Sequence, residues 1–363
     1  MKPKRLFFID IIRAFAILMM LQGHFIDTLL ATSFRDVNSI SFSVWSYFRG
    51  ITAPTFFTIS GLIFTYLLLK AKERGEEKLR MKKGIVRGLF LIFIGYLLRI
   101  PFLRWLQGSF NSYFLIVDVL QCIGLSLILI ILLYYLSAKK TLLFSLITLT
   151  LGFIIFLTEP LYRTLNLENL PILLNNYISK VNGSVFTIIP WLGYVAFGAF
   201  LATIFDKNLM KDHFKKIIIF LFIFFGIILI FYSSYLLCLL YKLTDIQLFL
   251  DSASYNYLFT RLGNVFLYFA FFYALEEYLK FPLILKIGQK TLSIYVIHFI
   301  IIYGSFTGIG LKHIIGKNLS PIQAIIGAIL FLTTVCFISF YYVRTNAFIY
   351  DNLRKFFDKL KGN

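Results

Sequence analysis

Residues 6–27 read LFFIDIIRAFAILMMLQGHFID, an apolar run in which four ionisable side chains stand: Asp10, Arg13, His24 and Asp27. About 20 apolar residues cross roughly 30 Å of hydrocarbon as a helix. A charge at that depth costs several kcal/mol unless it faces a cavity or a partner. The stretch is therefore a membrane helix, and it retains groups that such a helix keeps only for a reason. At about 100° per residue, Arg13 and His24 lie within roughly 20° of each other, and Asp10 is about 40° from His24 in the same stripe. From Arg13 to His24 the stripe climbs roughly 16 Å.

The remainder of the chain agrees with a membrane reading. Hydrophobic residues make up 59% of 363 and charged residues 15%, with 43 Phe and a mean hydropathy of +0.83. Soluble domains carry about 25% charge, so this chain lacks the polar surface for one. Reading apolar runs between polar breaks predicts an all-α helical bundle of about ten transmembrane helices. They fall near 7–31, 45–70, 84–101, 112–136, 141–158, 184–205, 216–241, 256–279, 291–311 and 321–344. We expect a single transmembrane domain over 1–349 and an amphipathic tail over 350–363 (YDNLRKFFDKLKGN from Tyr350) lying on the cytoplasmic surface. The start resembles a signal peptide, but Asp10, Arg13 and His24 interrupt its apolar run, so an uncleaved helix is expected. The connection 159–183 is too short for a domain and long enough for a lid.

A net charge of +19 is set by segments between helices. With the N-terminus inside, about 25 of the 36 Lys and Arg fall on the cytoplasmic side. About eight fall outside: Arg35, Arg99, Arg104, Arg163, Lys180, Lys242, Lys312 and Lys317. The bias places both termini in the cytoplasm of a multi-pass protein, and nucleic acid is not the partner: no recognition motif accompanies the charge. Cys122, Cys238 and Cys336 sit in apolar stretches without metal or redox spacing.

Beyond the first helix, candidate groups are few. RGITAPTFFTISG (49–61) carries Arg49, a helix-interior Pro54 and Ser60-Gly61. Pro54 leaves a carbonyl that needs a cavity or a donor, Arg49 has snorkelling to headgroups as its plainer role, and Ser60-Gly61 has helix packing. Asp118 and Gln121 share a face in DVLQCIG, His298 sits mid-helix in TLSIYVIH, and Arg261 opens the eighth helix. Asp27, one turn beyond His24, is placed to orient its imidazole as a carboxylate orients a general base. Asp10 and Arg13 equally make an i, i+3 ion pair with no further role. His213 and His313 fall in loops and are given none.

These segments together resemble the transmembrane acyltransferases, whose hallmark is Arg, ten residues, then His: here Arg13 to His24. RGITAPTFFTISG, DVLQCIG, PWLGYVAFG (190–198) and TLSIYVIH also look like the heparan-α-glucosaminide N-acetyltransferase branch and its bacterial relatives. The resemblance implies an inner-membrane enzyme that takes an acyl group, acetyl above all, from cytoplasmic acyl-CoA. The group would go to a hydroxyl or amine of a glycan or glycolipid on the far side. Taken with the residue reading, it leads us to expect a catalytic set of His24, Asp27 and, as the fallback, His298, and donor contacts from Asp10, Arg13, Arg49, Ser60, Asp118 and Gln121. Acetyl-CoA or another acyl-CoA is the implied donor substrate, and no metal is called for. The animal enzymes carry Asn at the position of His24, so acylation of a heparan amine does not carry over. A secondary transporter is the alternative that buried charge and a Pro-broken helix also suit, although no inverted repeat is visible. Nothing in the sequence fixes whether copies form a homo-oligomer.

Overall fold

A computed structural model describes residues 6–341 except 111, 166 and 168. The expected tail at 350–363 lies outside the described residues. The chain folds as α1 (Phe7–Leu29), α2 (Ile40–Glu73), α3 (Glu77–Leu97), short α4 (Phe102–Leu106), α5 (Val119–Leu136), α6 (Thr141–Leu157), short α7 (Glu159–Tyr162) and α8 (Ile172–Ile178), and α9 (Ile188–Asn208). It continues through α10 (Phe214–Ile227), a π-helical turn into α11 (Ser233–Thr244), then α12 (Gln247–Ser254), α13 (Tyr257–Ala274), α14 (Glu276–Leu279), α15 (Pro282–Gln289), α16 (Thr291–Tyr303), α17 (Leu311–Ile314) and α18 (Pro321–Tyr341). No strand is present among the described residues, and the sole β-type pairing there joins Leu30 to Leu319.

Each of the ten expected segments overlaps helix, although 304–310 at the end of the ninth is not helical and 342–344 of the tenth lies outside the described residues. Six have the length and apolarity to cross a membrane: 7–29, 40–73, 112–136, 188–208, 214–244 and 321–341. A seventh arises if α15 and α16, bent by 70° at their junction, count as one broken span. The shortfall has local causes. α3 begins in the basic run Lys78 to Lys83, and α6 is only 17 residues long.

Burial sorts the helices. The apolar windows of α9 and α2 are 72% and 67% buried, whereas those of 214–244 and α18 are 28% buried or less. α2 and α9 therefore form the centre, and the latter two present Phe, Leu and Ile outwards, as a lipid-facing helix does. Glycine lets the central pair meet. A Cβ on Gly198 would collide with the carbonyl of Thr58, and one on Gly61 with the backbone of Val195. Van der Waals packing is the main attraction between helices in lipid, so small residues at crossings matter. The packing role of Gly61 is what the structure shows. α1 is held by α2, α15, α16 and α18, with Gly288 of α15 against the carbonyl of Asp10.

Candidate active site

A cavity of about 1080 Å³ runs beside α1 and is lined by α1, α2, α3, α5, α9, α13 and α16, together with the segments after α3 and α16 and the one before α9. Arg13, Arg80, Arg87 and Thr291 line one end. His24, Tyr303, Asp27, Arg49, Arg99 and Asp118 line its farther part, and Arg104, Lys312 and His313 come from the loops that cover it. The stripe read from the sequence is thus a cavity wall, with Arg13 and His24 about three turns apart on one helix face.

Arg13 is fixed from two sides. Its Nη2 donates to Thr291 Oγ1 at 2.7 Å, and Asp10 lies 3.9 Å away one turn earlier. Thr291 stands at the α15–α16 bend, which brings the first turn of α16 to the cavity. Asp10 itself does not line the cavity, so of the two expected donor contacts on this turn only Arg13 faces the open volume. Arg80 and Arg87 are seven apart on α3 and share a face. That face joins Arg13 at this end of the cavity, and Arg80 also lies 5.8 Å over the Phe64 ring.

His24 is positioned by a residue the sequence did not single out. Its Nδ1 lies 2.8 Å from the Tyr303 hydroxyl, which leaves Nε2 as the ring nitrogen for the cavity. The expected hydrogen bond from Asp27 to His24 is not made. Asp27 is instead bridged to Arg49 at 2.7 Å and Arg35 at 3.4 Å. Two guanidiniums within reach outcompete a neutral imidazole for a carboxylate, since each adds the attraction of a full opposite charge to its hydrogen bond. Arg49 lies along Gly23, where a Cβ would come within 3.3 Å of its Cγ. It therefore faces the cavity and is not directed to headgroups.

His298 is wholly buried and does not line the cavity. Its ring centroid is 5.2 Å from that of His24 and 4.9 Å from that of Tyr295, and neither ring nitrogen makes a hydrogen bond of good geometry. It backs the His24 ring and is screened from anything in the cavity.

The DVLQCIG pair divides. Asp118 lines the cavity and is bound by Arg99, whose Nε and Nη2 both lie 2.6 Å from Oδ2. Gln121 is fully buried and away from the cavity. Its side chain accepts from the Asp118 amide at 3.2 Å and closes the capping box that starts α5. A side chain three residues into a helix that reaches back to its cap is committed to the backbone. Gln121 is thus corrected from donor contact to helix cap. Ser60 lines the cavity, with its hydroxyl on the Phe56 carbonyl at 2.8 Å. Gly50, whose carbonyl loses its helical donor at Pro54, also lines it.

The cover is likewise not the segment expected. Residues 159–183 line no part of this cavity. They pack on the stretch before α5, with Asn176 donating to the Leu115 carbonyl at 2.9 Å. The cover comes from the loops after α3 and α16. Leu103 N–H donates to Phe306 O at 3.1 Å and Phe306 N–H to Ile100 O at 3.2 Å.

Residues 5–237 match the family described as heparan-alpha-glucosaminide N-acetyltransferase, catalytic. The chain belongs to that family. It is an all-helical acetyltransferase-family protein with several helices able to span a membrane. No curated protein matches it. The family match ends at residue 237, yet Thr291, Tyr295 and Tyr303 of α16 complete the cavity. Arg87, Arg99, Arg104, Thr291, Tyr303 and Lys312 are among the lining residues that the sequence reading gave no site role. A count of charges inside apolar runs passes over Tyr and Thr, and it assigns loop arginines to topology.

Proposed function

We propose that this acetyltransferase-family chain transfers an acyl group, acetyl by family, from acyl-CoA to a hydroxyl or amine of a glycan or glycolipid. The donor is taken from the cytoplasm and the acceptor from the opposite side of a membrane crossed about ten times, within one transmembrane domain over 1–349. One observation carries this reading: a single cavity is lined at one end by Arg13, Arg80 and Arg87 and farther along by His24. CoA carries several negative charges, and an arginine-lined mouth on the side richer in Lys and Arg suits its phosphates. The acyl thioester then reaches inward along apolar lining such as Ile17, Met20, Phe56 and Ile63.

In the proposed reaction His24 is the general base. With Nδ1–H donated to the Tyr303 oxygen, bare Nε2 takes the proton from the acceptor as its oxygen or nitrogen attacks the thioester carbonyl. The new acyl bond forms, the carbon–sulfur bond breaks, and the thiolate leaves with the proton held by the imidazolium. Asp27, balanced by Arg49 and Arg35, sets the charge beyond His24 instead of orienting it. His298 supports the ring from behind.

The test uses purified protein in lipid nanodiscs with acetyl-CoA and a panel of amino and neutral sugars, following both thioester loss and acetyl gained by sugar. His24→Ala should reduce transfer by about 10² to 10⁴, the usual contribution of general base catalysis, with CoA affinity retained. Wild-type turnover in His24→Ala would move the chemistry to another residue. A wild type that neither consumes acetyl-CoA nor acetylates any sugar would remove the reading.

A further inference from the structure

The eight Arg and Lys lining the cavity face only two acids, Asp27 and Asp118. Three of these cations, Arg13, Arg80 and Arg87, belong to the proposed donor end. Of the other five, Arg49 is bridged to Asp27 and Arg99 to Asp118. The remaining three, Arg104, Arg261 and Lys312, make no ion pair among the described residues.

The side of the membrane sharpens the contrast. Of the eight Lys and Arg that the charge bias places outside, Arg35, Arg99 and Arg163 each hold a carboxylate: Asp27, Asp118 and Glu159 respectively. Lys180, Lys242 and Lys317 hold none among the described residues and do not line the cavity, whereas Arg104 and Lys312 hold none and do. Arg261 joins them from α13. It donates from Nη1 to the Tyr47 carbonyl at 2.8 Å and lies 4.9 Å over the Tyr47 ring, so its place is fixed without an acid.

Two glycines make room for these guanidiniums. A Cβ at Gly50 would lie 2.5 Å from Arg261 Nη2, and one at Gly308 would lie 3.2 Å from Arg104 Nε. The loop bearing Arg104 is tied to the loop bearing Gly308 by the Leu103–Phe306 and Phe306–Ile100 backbone bonds. Three cations without counter-charge thus line one cavity, Arg261 among them fixed by backbone and ring contacts, and an anion is the ligand that such a lining attracts.

We propose that Arg104, Arg261 and Lys312 form a recognition site for an anionic group on the acceptor, a phosphate or a carboxylate. Arginine forks bind both groups bidentately, and lysine adds a point charge. The word "acceptor" rests on the proposed function, whereas the anion site itself does not. The site admits glycans or glycolipids that carry such a group near the hydroxyl or amine to be acylated, and it discriminates against neutral sugars.

The experiment measures binding to the full chain in zwitterionic nanodiscs. Its four probes are glucose 1-phosphate, glucuronate, dihexanoyl phosphatidylglycerol and uncharged methyl glucoside. At least one anionic probe should bind about tenfold or more tightly than methyl glucoside, a difference of about 1.4 kcal/mol. Raising salt from about 50 to 300 mM should shrink that preference through screening. The probe that carries it identifies the source as glycan phosphate, uronate or lipid phosphate. Arg104→Gln combined with Lys312→Gln, both exposed positions, should abolish the preference and leave CoA affinity and thermal stability unchanged. Equal or absent binding of all four probes overturns the proposal, as does a preference that survives in the double variant. Acetyl-CoA titration in the same discs tests the donor end separately, so loss of the proposed activity is distinguishable from loss of the anion site.

Discussion

The Nδ1 of His24 and the hydroxyl of Tyr303 lie 2.8 Å apart across 279 residues of sequence. The hydrogen bond at one ring nitrogen sets which tautomer the other presents. Tyr303→Phe should therefore lower kcat by about 10- to 100-fold, within the range of a general base set in the wrong tautomer. Donor KM should stay near wild type. The acidic limb of the kcat–pH profile should move, which loss of packing alone would not cause. A profile superimposable on wild type would make Tyr303 a spectator.

Donor binding should follow the cavity wall and not the surrounding basic loop. Arg13→Ala, Arg80→Gln and Arg87→Gln are each expected to weaken CoA binding by about tenfold, about 1.4 kcal/mol. Their salt dependence should become shallower as well. Lys78→Ala, Lys82→Ala and Lys83→Ala, exposed and outside the lining, should change little. Isothermal titration with CoA decides, and an undiminished affinity in Arg13→Ala would detach this end from the donor.

The α2–α9 crossing should be intolerant of a single methyl. Gly198→Ala places a Cβ against the Thr58 carbonyl, and overpacking of this kind costs about 1–3 kcal/mol. Thermal unfolding in detergent should show a lower midpoint. An unchanged midpoint would mean that the two helices separate without penalty.

Glu77, at the start of α3, receives Lys139 Nζ at 2.5 Å and the Tyr134 hydroxyl at 3.1 Å. The lysine hydrogen bond, before all else, holds its carboxyl below the usual carboxylate range, with the tyrosine adding to it. A carboxyl depressed in the folded state contributes stability above its unfolded pKa and loses that contribution as pH falls through the folded value. Wild type should therefore lose stability relative to Glu77→Gln as pH falls from about 5 towards 3. The difference at neutral pH should stay under about 1 kcal/mol for a partly exposed pair. Parallel curves for the two proteins over that range would leave the pair without effect.

The helical class, the approximate places of the long apolar helices and the Arg13–His24 stripe were legible because length, hydropathy and an eleven-residue spacing are local. The partners of those side chains were not. Nothing near Asp27 in sequence says that Arg35 and Arg49 will converge on it, and a rule that pairs His with the next carboxylate chose the wrong neighbour. Gln121 looked like a binding group because polarity in an apolar run marks function and helix caps alike. Arg99 and Arg104 were counted as topology signals, and only the folding of two loops onto each other placed them at the cavity.

Arg13 meets Thr291 across 278 residues, and His24 meets Tyr303 across 279. A ribosome adding about 5–20 residues per second needs some tens of seconds between the two halves of each pair. Through that interval α1 sits in the bilayer with its histidine and arginine lacking these hydroxyl partners. On the proposed mechanism the nascent chain is chemically silent until α16 is threaded, and a polypeptide released before that helix would lack the two hydroxyls that hold Arg13 and His24.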